Sequence, residues 1–519
     1  MIETPQDDVR LLEDALARTL KNPTASFGWH RMVTLLRRLA DARLSLQVER
    51  AILARVDEHG YAGFLRASFL DVLTGRPEYL AQGGRVLLSL PEFDPDRAVI
   101  FFQSSWQRVL LDIPDRASFY ARLSAISLPE IAARLNQHVQ QLPAPKLPSR
   151  PISTIRKVAL IAPLLTNLKH PPTLMALQQA RCLRQCGYQV VLYAAQEMLG
   201  PDSEHYLGSG IVHQTPQFVT QGWEHYLGLG GQVMTGDVRF SISQRWLSLV
   251  THMAQFDPDL VMTVGLYSGL LAMLYSQRPV LGLGVNSLAP ISPSDLWLTA
   301  QKDLHDSTFS AWGTAGHNGV AFYHPYRLDR PVTLLPVNVT SLEWNVDHVV
   351  LTTLVSEAEA RISGAWANGM CQVLARFPQI RWLIVGGNGQ LPSALAGVAA
   401  QVRCVPFCAD ALKYLSCTHV YVNPPMMGGG FAVAEAMAAA VPAVSMRDTD
   451  GGDKLGAAAV SDLPSYFELL QRLIQDAGYR QTMGLQLQTH FNQALDLAQA
   501  APSLQQACEL AVTRYRLRT

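Results

Sequence analysis

The stretch His419–Met446, HVYVNPPMMGGGFAVAEAMAAAVPAVSM, decides the fold. A short apolar strand, HVYVNPP, runs through MMGGG into the helical pattern FAVAEAMAAA and then into a second short strand, PAVSM. Continuous apolar strands joined by a helix mark a parallel sheet covered on both faces. Gly428, Gly429 and Gly430 fall at the carboxyl end of the strand, immediately before a helix N-terminus. Three absent side chains let backbone amides approach a phosphate, and the helix dipole favours its charge. Glu435 lies about one turn into that helix, placed to accept hydrogen bonds from sugar hydroxyls. A Gly-rich turn that only lets strand and helix pack closely explains the glycines equally well.

The same alternation extends outward. HVVLTTL, IRWLIVGG and VRCVPFC precede the decisive stretch, with helices expected in GAWANGMCQVLARF and DALKYLSC, the latter N-capped by Asp410. Further upstream stand KVALIAPLL (157–165), QVVLYAA, DLVMTVG (259–265) and PVLGLGV (279–285), with MALQQARCLRQCGY and SGLLAMLYSQ as helices. Residues from about 197 to 240 fit no period. Two doubly wound α/β domains facing a cleft are therefore expected, with ligands at the carboxyl ends of the strands. Before them, LLEDALARTL, HRMVTLLRRLADARL, QVERAILARVDEHG, FLRASFLDVLTG and LPEIAARLNQHVQQL carry apolar residues at helical spacing, with Gly60 and Gly75 as stops. The proline-dense LPAPKLPSRPI reads as a semi-rigid linker. The expected organisation is an all-helical domain (1–142), a linker (143–154), two Rossmann-like domains (155–342 and 343–500) and a C-terminal helix (501–519).

Composition narrows the partners. Of 519 residues, 48% are hydrophobic and only 16% charged, and Lys plus Arg equals Asp plus Glu at 42 each. Such a balance gives no electrostatic case for nucleic acid or a membrane surface. MIETPQDDVRLLED lacks the apolar core of a secretory signal, and no run of about 18 apolar residues marks a membrane span. A cytoplasmic location is expected. The seven cysteines read as free thiols, although Cys182 and Cys186 lie one helical turn apart.

NPPMMGGGFAVAEAMAAAVPAVS resembles the donor-binding loop and helix of retaining glycosyltransferases with the GT-B fold. The Gly-Gly-Gly version is similar to a subgroup of bacterial surface-polysaccharide and protein glycosyltransferases. The resemblance implies a GT-B pair and a hexosyltransferase that moves sugar from a nucleoside-diphosphate sugar to a glycan or protein acceptor, with no cofactor and no metal. Glu435 matches the family glutamate that holds the ribose. The family's second glutamate, eight residues earlier, is here Met427. Gly386, Gly387 and Asn388 resemble the strand-end turn near the nucleotide, and Pro406 and Phe407 the strand end that packs on the base. Asp453 and Lys454 in RDTDGGDKLG either reach the donor or form a solvated loop; Asp448 and Asp450 there follow the last strand and are not read as a metal motif. The family usually places an Arg and a Lys after the first strand of the donor domain to meet the departing diphosphate. Only Arg361 stands in that stretch. Either Arg361 serves, or Lys454 substitutes, or backbone amides do.

In the first Rossmann-like domain, TNLKHPPT places Lys169 and His170 at the cleft mouth, His170 as base, sugar contact or plain helix-entry residue. Ser268, His305 and His324 are candidate acceptor-side contacts. A helical domain before a GT-B pair is similar in layout to bacterial adhesin N-glucosyltransferases, and that domain could hold acceptor or build a homo-oligomer. The alternatives are a catalytically inactive GT-B-like subunit that binds an acceptor protein or partner transferase, favoured by Met427, and a sugar-nucleotide epimerase, which would need no acceptor.

Overall fold

The computed structural model describes residues 45–113, 115–166, 170–199, 231–285, 288–301, 319–330, 336–408 and 410–519, with Leu11 and Asp14. Two parallel sheets organise the chain. The first holds β1 (Lys157–Ala162), β2 (Gln189–Ala194), β3 (Gln232–Thr235), β4 (Leu260–Val264), β5 (Val280–Leu283), β6 (Leu296–Thr299) and β7 (Val320–Tyr323). Its order is β3-β2-β1-β4-β5-β6-β7. The second holds β8 (Val349–Leu354), β9 (Ile380–Val385), β10 (Val402–Val405), β11 (Val420–Val422) and β12 (Ala443–Val444), in the order β10-β9-β8-β11-β12. Every pairing within both sheets is parallel. The strand order reverses beside β1 and β4 in one sheet and beside β8 and β11 in the other, which is where such sheets open a crevice for ligand. The Gly-rich stretch follows β11, at the second of these points.

Among the described residues, six helices precede the sheets: Ser45–Arg55, Gly60–Thr74, Pro77–Ser89, Pro95–Asp112, Arg116–Ala125 and Leu128–Gln141. Part of their apolar surface merges with the core of the first sheet. Phe64, Phe101, Leu123 and Leu135 belong to the same buried apolar cluster as Val158, Leu192, Val261 and Trp297 of the first sheet. The segment between them carries no helix or strand, yet it is strapped down and is not a free spacer. Leu147 and Ile152 are buried, and Arg150 binds Asp257 and Asp259 at 2.8 and 2.6 Å. The last helix, Ala501–Arg518, returns from the second sheet to pack on the first. Leu504, Ala507, Cys508, Ala511 and Val512 join the first sheet's cluster, and Arg516 reaches the carbonyl of Ile152. Among the described residues no helix is long and apolar enough to cross a membrane.

Local corrections follow from backbone chemistry. Gly75 is the left-handed C-cap of the Gly60–Thr74 helix, as expected, but Gly60 begins that helix instead of ending the previous one. DALKYLSC forms a 3₁₀ segment, Ala411–Cys417, and Asp410 does not cap it. Its carboxylate binds Lys413 Nζ at 2.8 Å instead. β3 lies in the stretch that fitted no period. The cysteines are free thiols.

Candidate donor site

The three glycines have different causes. Gly429 sits at φ +89°, and a Cβ there would overlap Asn423 Oδ1 and Met426 Cε. A Cβ on Gly430 would meet Asp450 Cβ at 2.9 Å. Both are demanded by the protein's own packing. Gly428 has no atom within 4 Å of its missing Cβ and is half-buried. It alone leaves space that the chain does not fill. Asn423, fully buried at the end of β11, anchors the turn: its Nδ2 donates to Ser445 Oγ at 3.0 Å, and its carbonyl accepts from Tyr466 Oη at 3.0 Å.

Glu435 lies five residues into the Gly430–Ala438 helix, next to that space along the chain. Burial pushes its carboxyl from 4.5 up to about 8, with no opposing hydrogen bond or cation. An acid sequestered without a donor is costly when ionised, and it gains from any ligand that supplies hydroxyl donors.

Below the turn, the Asp450–Leu455 helix packs on the Gly430–Ala438 helix and carries buried charge. Asp453 accepts from Arg116 Nη2 at 2.6 Å; Arg116, on the Arg116–Ala125 helix, is as enclosed as its partner. Asp450 has its carboxyl raised to about 7 by burial and by Asp453, with Arg116 and Lys454 opposing. Lys454 is not in a solvated loop: its Nζ is buried, donates to the Tyr326 carbonyl at 2.8 Å and lies 5.1 Å from the Tyr326 ring centre. Burial lowers its pKa, with Asp450 and Asp453 opposing. Nearby, burial together with Arg327 and Lys454 holds His324 down to about 3.

Residues 365–476 match the family model described as Glycosyl transferases group 1. That stretch is similar to group 1 glycosyltransferases. That segment spans β9 to β12, the Gly-rich turn and the charged helix below it. The two-sheet architecture is the GT-B fold. A Thermobaculum terrenum O-GlcNAc transferase variant superposes with a TM-score of 0.54 at 13% identity, covering 100% of both chains. A Rickettsia africae glycosyltransferase superposes with a TM-score of 0.50 at 8% identity, covering 69% of this chain and 99% of that one. No curated protein matches the chain in sequence. The helical region therefore precedes two sheets that share the GT-B fold.

The remaining sequence candidates distribute around this domain. Met427, where the resemblance places a second glutamate, is wholly buried and belongs to the apolar cluster of the helical region and first sheet. It seals the seam between the halves. Gly386, at φ +135°, would drive a Cβ into the Val355 carbonyl, so its glycine has a structural cause. Gly387 accepts from Phe407 N at 3.0 Å, which ties the two strand ends together. Asn388 closes a turn onto Gln390 N at 3.0 Å. Pro406 packs over Gly389, and Phe407 is 52% exposed at the β10 end. Arg361 ends the short Ala358–Arg361 helix after β8, and that helix touches the Pro95–Asp112 helix of the N-terminal region.

On the first sheet, His170 precedes the Pro171–Gln185 helix with Nδ1 2.9 Å from Thr173 Oγ1, and burial pulls its pKa to about 4. It is neutral at physiological pH, suited to accept a hydrogen bond and poor as a strong base. Lys169 and His305 lie outside the described residues. Ser268 is fully enclosed, and its hydroxyl donates to Glu197 Oε1 at 2.7 Å. His324 is buried with Nδ1 2.6 Å from Ser503 Oγ on the returning C-terminal helix. Sequence reasoning missed Arg116, Glu197 and Arg327, and considered Asp450 only as a metal motif. Each owes its importance to a partner far away in the chain.

Proposed function

We propose that the protein transfers a sugar from a nucleoside-diphosphate sugar to a glycan or protein acceptor, without a metal. The observation that supports this reading best is Glu435, a half-buried acid with no protein donor among the described residues, about one helical turn beyond the unfilled space at Gly428. The diphosphate sits against the turn amides and the helix N-terminus, and the ribose hydroxyls donate to Glu435. The exposed Phe407 offers its ring to the base. His170 faces the sugar from the first sheet as a neutral acceptor.

Hydroxyl donors favour the ionised carboxylate, so nucleotide binding expels the proton that Glu435 holds below about 8. Affinity is therefore expected to rise with pH through 6 to 8 and to level off above the carboxyl's own value. Glu435→Gln is expected to weaken nucleotide binding by about 1.5–3 kcal/mol and to flatten the pH slope. Calorimetry in buffers of different ionisation enthalpy reads the released proton directly. A folded variant with wild-type affinity and slope would remove Glu435 from the site.

The nucleotide itself is found by thermal shift with UDP, GDP, CDP, dTDP and ADP and their sugars, because a ligand of the native state raises its apparent stability. A second reading, a non-catalytic GT-B-like subunit, is supported by Met427 at the sealed seam. Mass spectrometry that finds neither transfer nor donor hydrolysis, with no nucleotide stabilising the fold, decides for it.

A further inference from the structure

Arg116 presents a problem in charge and hydrogen bonding. Its side chain is 7% exposed, yet only Nη2 has a partner, Asp453; Nε and Nη1 are enclosed and bond to nothing among the described residues. Arg327 is buried as well, with its Nε likewise unpartnered, and Lys454 adds a third cation. Among the described residues, Asp450 and Asp453 stand against these, while His324 is neutral. Asp450 holds a proton for part of the time near neutrality, because burial and Asp453 raise its carboxyl to about 7, and one of its oxygens is also without a partner. The cluster is thus net positive and only slightly exposed. Buried charge of one sign needs a counter-charge.

The position of the cluster says which one. Asp450 touches Gly430, so the cluster lies directly beneath the Gly-rich turn. The domain's own first loop offers only Arg361 as a cation at this end of the sheet. We infer that Arg116, delivered from the N-terminal helical region, is a diphosphate-binding residue, its unpartnered Nε and Nη1 each donating to a phosphate oxygen across the cleft from the Gly428 side of the turn. This rests on the nucleotide-sugar reading above. It gives the helical region a direct part in donor recognition: charge-assisted donors meet the phosphate oxygens, and the guanidinium charge offsets the negative charge that builds on the leaving diphosphate. Asp453 occupies the remaining nitrogen and offsets part of the charge that a diphosphate would otherwise meet.

The test compares, in the full chain, the nucleoside diphosphate that stabilises the wild type with its parent nucleoside. Arg116→Gln is expected to cut affinity for the diphosphate by about tenfold to a hundredfold while leaving nucleoside affinity unchanged. Asp453→Asn, which removes the competing carboxylate charge, is expected to bind the diphosphate at least as tightly as wild type. Equal loss of both ligands in Arg116→Gln, or no loss of either, overturns the proposal. Weaker diphosphate binding in Asp453→Asn also overturns it, and that variant decides the matter alone if Arg116→Gln does not fold. A wild type that binds no nucleotide at all brings down the donor reading instead, whereas nucleotide binding blind to Arg116 brings down only this one.

Discussion

Glu197→Ala is expected to cost about 3–5 kcal/mol of stability, the largest loss from any single side chain in the first half of the molecule. Glu197 is wholly buried after β2, and its two oxygens collect four donors. Trp246 Nε1, Ser268 Oγ and the Gly269 amide bind Oε1 at 2.8, 2.7 and 3.2 Å, and Gln103 Nε2 binds Oε2 at 3.2 Å. Gln103 belongs to the helical region, so this one carboxyl ties that region to two helices of the first Rossmann-like domain. Arg245 fixes the loop that carries it, donating to the carbonyls of Ala195, Gln196 and Leu199. Alanine would leave the Trp246, Ser268 and Gly269 donors enclosed without this acceptor, while Gln103 keeps the Tyr267 carbonyl at 3.1 Å; glutamine keeps one acceptor oxygen and should lose less.

The pH dependence of the same residue has a definite sign. Burial outweighs the four donors and raises the carboxyl from 4.5 to about 7. The folded state then holds a proton that the unfolded chain releases, so this group's contribution falls as pH climbs from 4.5 to about 7. Urea melts across that range read the slope, and Glu197→Gln should lose its share. A loss below about 1 kcal/mol in Glu197→Ala would mean that the donors find other acceptors.

The largest effect on activity is expected from Gly428→Val. Its missing Cβ faces open space, so the fold should shift by no more than about 0.5 kcal/mol. Turnover should nevertheless fall by about a hundredfold or more, because a branched side chain displaces the diphosphate from the turn amides. Gly429→Val is the control with the opposite signature. Its left-handed backbone and the overlap with Asn423 should cost about 2–4 kcal/mol of stability whatever happens to activity. Initial rates of donor hydrolysis together with melts separate the two. A fully active Gly428→Val enzyme would mean that the turn never touches donor.

Much of the fold is legible along the chain because β1, β2, β4, β5 and β8 to β12 are continuous apolar runs, the one pattern a doubly buried strand must have. What escapes reading is what depends on distant partners. The Pro77–Ser89 helix carries Gly83 and Gly84 in its middle, where they let Phe101 and the Ile126 carbonyl come close. β6 and β7 are four residues each, too short to show a period. In the site, the Gly-rich turn and Glu435 announce themselves because strand, turn and helix are contiguous. Arg116 and Asp453 are 337 positions apart, and no local pattern links them. Met427 was read as a missing carboxylate, and its burial in the seam supplies the reason for an apolar residue there.

The returning helix Ala501–Arg518 has a consequence for the order in which this protein can be made. Its residues Leu504, Ala507, Cys508, Ala511 and Val512 complete an apolar cluster whose other members lie as far back as Phe64. During synthesis from the N-terminus, the first sheet emerges well before the helix that covers its flank, so a nascent chain carries that greasy face uncovered until the whole second sheet has been made. The first sheet closes only after the second is complete.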